Sequence, residues 1–120
     1  MRRQISEREL DRRIYETLLA LGVPIRMLGY RYMEEALHIM VSDANAEYAI
    51  TKLVYGTIAD TYGTSPQQVE SAIRTAAKSA WDKGNPEQHE RIFGYSRGSG
   101  SRPCNSEYLL RVLAHVRYMI

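Results

Sequence analysis

Between residues 65 and 81 the chain reads Ser-Pro-Gln-Gln-Val-Glu-Ser-Ala-Ile-Arg-Thr-Ala-Ala-Lys-Ser-Ala-Trp. At helical spacing Val69, Ala72, Ile73, Ala76, Ala80 and Trp81 form one apolar stripe, which leaves Gln67, Gln68, Glu70, Ser71, Arg74, Thr75 and Lys78 on the other face. This second set is poor in hydrophobes and rich in groups that pair with base edges and phosphates. Glutamine pairs bidentately with adenine and glutamate accepts from the cytosine amino group. Arg74 and Lys78, one and two turns further on, reach guanine or phosphates. The chemistry on offer is recognition. Glu70 and Arg74 also stand four residues apart in the favourable order, which by itself makes a surface ion pair worth about 0.2–0.5 kcal/mol. Base contact and ion pair do not exclude each other.

These side chains need a helix held at a defined angle to another. Ser65 is placed to cap that helix, Pro66 to occupy its first position and Gln68 to close a capping box, while Gly84-Asn85-Pro86 stops it. Before it, Ala59, Gly63 and Val69 take the positions of a helix-turn-helix: a small residue at the crossing, a glycine free to adopt positive φ, and an apolar lock. The helix-turn-helix then spans about 56–82, with 65–81 as the recognition helix entering the major groove by its first turn. Glycine-turned hairpins also occur in enzymes and structural bundles, so the spacing alone leaves ordinary helix packing open.

The rest of the chain is helical by pattern. Ser6 and Glu9 offer a capping box ahead of Leu10, Ile14, Leu18 and Leu21, and Gly22 and Pro24 stop that helix. A second segment is expected after Gly29, with Tyr32, Ala36, Ile39 and Met40 inward, ending near Ser42-Asp43. A third starts at Asn45 as N-cap and runs toward Gly63, with the effect of Gly56 open. A short helix over Gln88–Phe93 and a last one capped by Asn105, burying Tyr108, Leu109, Val112, Leu113 and Val116, complete the set. With no period-two alternation and no internal repeat, the expectation is an all-α single domain of about six helices.

Composition narrows the function. The 120 residues, 44% hydrophobic and 25% charged, suit one globular domain, and the lone Cys104 forms no internal disulfide, so a reducing cytoplasm is the expected compartment. The sequence has no stretch of about 20 apolar residues to span a bilayer and no signal segment at its start, so no membrane role is expected. Thirteen of sixteen bases are arginine, as suits a surface that grips bidentate anions, although codon bias explains the same count. No nucleophile, base and orienting group assemble into a catalytic set, and His38, His89, His115 and Cys104 lack metal-ligand spacing; neither enzyme activity, metal nor cofactor is expected. The Gly/Ser-rich loop 96–103 carries Arg97 and Arg102, two candidate phosphate contacts in a segment whose composition also suits a mobile loop. Arg2, Arg3, Arg12 and Arg13 are interleaved with acids and favour a solvated helix face over a DNA-touching arm. Nine tyrosines to one phenylalanine point to amphipathic core edges.

Several blocks in order carry a family resemblance: Gly22-Val23-Pro24 with Gly29-Tyr30-x-Tyr32; Ile50-Thr51-Lys52-x-x-Tyr55; Val69-Glu70-x-Ala72-Ile73-Arg74; Ala80-Trp81-x-x-Gly84-Asn85; Phe93-Gly94-Tyr95; and Pro103-x-Asn105-Ser106-Glu107. From Leu10 to about Met119 the sequence resembles the C-terminal effector domain of the stage-zero sporulation response regulator. The resemblance implies an all-helical domain that binds double-stranded DNA, often as head-to-tail pairs on tandem sites. It further implies contact with the sigma subunit of RNA polymerase, here through 83–95. Family members carry arginine where this chain has Ser71, which predicts relaxed reading of the family's preferred box or a shift of specificity to Gln67, Gln68 and Arg74. They also place a phosphorylatable receiver domain ahead of this one. The chain is expected to be either a fragment of such a protein or a free-standing effector domain, and in the second case to act without an in-chain phosphorylation switch, or to serve as a protein-interaction module or antagonist of a full-length relative.

Overall fold

Ser6 begins the first helix as its spacing predicts: its Oγ accepts from the Glu9 backbone N–H at 3.1 Å, and α1 runs Glu7–Leu21 to a left-handed Gly22. The computed structural model describes residues 6–43 and 45–118, so Arg2 and Arg3 lie outside the described residues. α2 (Leu28–Ser42), α3 (Gly56–Tyr62), α4 (Pro66–Lys83), α5 (Pro86–Phe93) and α6 (Asn105–Arg117) follow, and the described residues contain no strand. Among the described residues the domain is all-α, with six α-helices around one core.

Four local expectations are corrected. Helix α2 starts at Leu28, ahead of Gly29, and so contains that glycine. The third segment is not one helix from Asn45: a single 3-10 turn (Ala46–Tyr48) ends at Ala49, whose φ of −138° and ψ of 47° break it. A π-helical stretch, Ile50–Tyr55, then runs unbroken into α3 through Gly56, which is ordinarily helical. α5 starts at Pro86, because Asn85 ends α4's region and caps the next helix at once, its Oδ1 accepting from Glu87 and Gln88 N–H at 2.9 and 3.2 Å. Finally, α6 is preceded by Cys104 as N-cap, which makes no side-chain capping bond, and Asn105 is its first helical residue.

The predicted stripes are where they should be. Leu10, Ile14, Leu18 and Leu21 of α1, Val69, Ile73, Ala76, Ala80 and Trp81 of α4, and all five expected α6 positions are buried. Ala77 joins the α4 stripe and Ala72 is half-buried against α2, with which α4 makes its most extensive contact. Arg12 is exposed and pairs with Glu9 and Glu16, but Arg13 is buried, its Nη1 3.5 Å from the Val116 carbonyl oxygen of α6.

α5 is fastened through one histidine. The buried His89 ring donates from Nδ1 to the Asn85 carbonyl at 2.9 Å, since a carbonyl can only accept, and its Nε2 then accepts from the Tyr108 hydroxyl at 2.8 Å. Burial, with help from Arg97, pushes the His89 pKa below its usual value, and burial does the same to His115. A depressed histidine contributes stability in full above its unfolded pKa of about 6.5; as pH falls through that value the unfolded chain takes up protons that the fold refuses. The urea midpoint is therefore expected to fall between pH 7 and pH 5, and less steeply in His89→Gln. A wild-type midpoint flat across that interval would contradict the assignment.

Candidate nucleic-acid interface

The turn between α3 and α4 is built on Gly63. Its φ of +67° and ψ of +39° lie in the left-handed region, and its N–H and that of Thr64 both reach the Ala59 carbonyl, Thr64 at 2.9 Å. This closes α3 and releases the chain into Ser65, whose Oγ accepts from Gln68 N–H at 3.2 Å, with Pro66 in the first position of α4. The Gln68 side chain does not return to Ser65; it meets the Thr64 hydroxyl instead, so the capping box is half formed. Ala59 and Val69 are buried where α3 and α4 cross.

The opposite side of α4 is open to solvent. Gln67, Gln68, Ser71, Arg74, Thr75 and Lys78 are exposed and Glu70 is half-buried. Arg74 Nη2 pairs with Glu70, and Lys78 Nζ lies 2.7 Å from Asp82 Oδ2, so both cations meet acids on their own helix. The Lys78 hydrogen bond holds the Asp82 carboxyl below its usual range. Exposed pairs of this kind hold little free energy, which leaves both cations exchangeable for phosphate. The Thr75 hydroxyl donates to the Ser71 carbonyl at 3.0 Å. The two loop arginines sit at different places. Arg97 Nη1 donates to the Gly84 carbonyl at 3.1 Å and lies 3.4 Å from that of Trp81, so it closes the C-terminal end of α4, about 27 Å from the first turn of an 18-residue helix.

Arg102 lies instead beside the exposed polar face of α4. A pocket of about 230 Å³ between the π-helical stretch, α4 and the start of α6 brings Tyr55, Glu70, Arg74, Arg102, Asn105 and Ser106 together. The buried Asn105 amide donates to the Glu70 carbonyl at 2.9 Å, a link across 35 residues that ties the start of α6 to the second turn of α4. The sequence offered a signal here, since Asn105 stands in the Pro103-x-Asn105-Ser106-Glu107 block, but at a helix start an asparagine reads as a cap.

The family described as Sporulation initiation factor Spo0A C terminal matches residues 14–116. The chain belongs to that family. The match begins within α1 and ends within α6, so the helix-turn-helix and the pocket both fall inside it. Membership of the Spo0A C-terminal family supports a non-catalytic DNA-binding effector domain that serves transcription regulation in sporulation. Within this Spo0A-type domain the stretch 83–95 is the end of α4 and the whole of α5. His89 and Phe93 face the core there, and Lys83, Glu87, Glu90 and Arg91 face solvent. No described helix is long and apolar enough to cross a membrane.

Proposed function

We propose that α4 enters the major groove of double-stranded DNA by its N-terminal half. Gln67, Gln68, Glu70, Ser71 and Arg74 then meet base edges, and Thr75, Lys78, Arg102 and the free nitrogens of Arg97 face the phosphate backbone. The observation that carries this reading is the exposed polar face of α4, which starts directly after the Gly63 turn while the opposite face is locked in the core. Such an orientation leaves the first helical turns free to dock. The outward residues of α5 and the neighbouring end of α4, within 83–95, are the surface proposed to meet the RNA polymerase sigma subunit, and a head-to-tail pair on tandem sites is the proposed assembly on DNA. The resemblance supports both. Ser71 and the intrahelical pairing of both cations favour a second reading, an interaction module or antagonist with weakened DNA reading.

Lys78→Ala separates contact types. It is expected to lower the slope of log affinity against log salt by about 0.9 while leaving the preference among duplexes unchanged, because one phosphate contact releases about one counterion. Anisotropy titrations at two salt concentrations read both quantities, and an unchanged slope would remove Lys78 from the interface.

A further inference from the structure

The pocket beside Glu70 and Arg74 has the chemistry of an oxyanion site. Arg74 and Arg102 stand on its walls, against one carboxylate, Glu70, which Arg74 already pairs. The start of α6 opens into it through Cys104, Asn105 and Ser106. The first helical backbone bond is Tyr108 N–H to the Cys104 carbonyl, so the N–H groups of Asn105, Ser106 and Glu107 precede the ladder, and Cys104 supplies no side-chain cap.

Two further groups point to an occupant. Tyr55 is 2% exposed and Asn105 8% exposed, both line the pocket, and Tyr55 Oη and Asn105 Oδ1 have no hydrogen-bond partner among the described residues. The Asn105 amide tempers the upward push of burial on the Tyr55 hydroxyl, so the two groups are neighbours that stop short of hydrogen-bond geometry. A buried polar atom left unpaired is costly. Tyr55 offers a donor to an anionic oxygen. Asn105 Oδ1 needs a donor, which the P–OH of free phosphate supplies, or water bound to the phosphodiester of a DNA strand. The space is below the ~300 Å³ of sites that take drug-sized molecules, which limits the ligand to a small group.

We propose that this pocket binds a phosphate group, held by Arg102, by the Tyr55 hydroxyl and by the backbone N–H groups that start α6, while Arg74, paired with Glu70 on the pocket wall, is left to the base edges. The group belongs either to a DNA strand or to free phosphate. The probe is inorganic phosphate, titrated into the ¹⁵N-labelled chain without DNA at ionic strength held constant with sodium chloride. Saturating shifts are expected at the Asn105 side-chain amide and at the Ser106 and Glu107 backbone amides. Arg102→Gln, a loop substitution outside the core, is expected to weaken saturation at least about tenfold, the loss expected of a charge-assisted hydrogen bond. Tyr55→Phe keeps the buried ring and is expected to weaken it less. Linear, unsaturated shifts, saturation centred elsewhere, or saturation that survives Arg102→Gln would overturn the proposal. Repeating the titration with duplex bound names the source. Loss of the phosphate shifts assigns the group to the DNA strand, and their persistence assigns it to free phosphate; either result upholds the pocket. Because the first titration contains no DNA, failure of the DNA-contact reading leaves it intact.

Discussion

Gly29→Ala is expected to destabilise the fold by about 3 kcal/mol, the upper part of the range for overpacking, and to lower Tm by roughly 10 °C. Helix propensity works the other way, since alanine is better than glycine in a helix interior by about 1 kcal/mol. Packing decides. A Cβ on Gly29 would stand 2.1 Å from the Ala72 carbonyl oxygen and 2.7 Å from the Ala76 Cβ, and the first of these is backbone that cannot turn aside. Accommodation requires α2 and α4 to move apart along their most extensive contact, which displaces α4 and the polar face it exposes. Gly56→Ala is the matched control: Gly56 is helical, with φ of −62°, and a Cβ there meets nothing within 4 Å. That variant is expected to gain about 0.4–1 kcal/mol. Urea denaturation of the two variants checks the pair, and a neutral Gly29→Ala would show that the α2–α4 contact is looser than described.

Ser71→Arg is expected to raise discrimination for the family's preferred box by about 1–3 kcal/mol, roughly 5- to 150-fold, over an unrelated duplex. Serine hydrogen-bonds to several bases and selects none strongly, whereas arginine pairs bidentately with guanine. Ser71 is exposed, one turn from Thr75, and its side chain takes no part in the Thr75 hydroxyl bond to its carbonyl, so a longer side chain has room. Arg74→Ala is expected to remove a comparable share of whatever preference the wild type keeps, because Arg74 is the remaining arginine of α4. Binding selections on wild type and the two variants read this directly. Identical preference for the family box in wild type and Ser71→Arg would show that position 71 does not read bases.

What was legible in the sequence was what is local. Ser6, Ser65-Pro66, Gly22 and Gly63 announce helix ends through their own hydrogen bonds and φ values, and the apolar stripes of α1, α4 and α6 announce a buried side by spacing alone. The exposed face of α4 follows as the complement of its stripe. What escaped depends on partners distant in the chain or on two roles in one residue. Gly29 looks like a helix breaker until α4 lies against it, and Asn85 ends one helix's region while capping the next. The π-helical register at Ile50–Tyr55 has no residue signature, yet it contributes Tyr55 to the pocket. Asn105 reads as a cap because its partner, the Glu70 carbonyl, lies 35 residues away. Likewise Arg102 joins Arg74 through the fold and Arg97 is drawn off to the end of α4, a division that the loop's composition does not reveal.

The central claim is that the exposed face of α4 binds duplex DNA, and titration of the wild-type chain on family-box and unrelated duplexes at two salt concentrations tests it most directly. Binding that weakens steeply with salt, with a reduced slope in Lys78→Ala and a modest preference for the family box, is the predicted result. No binding to either duplex at low salt would contradict it.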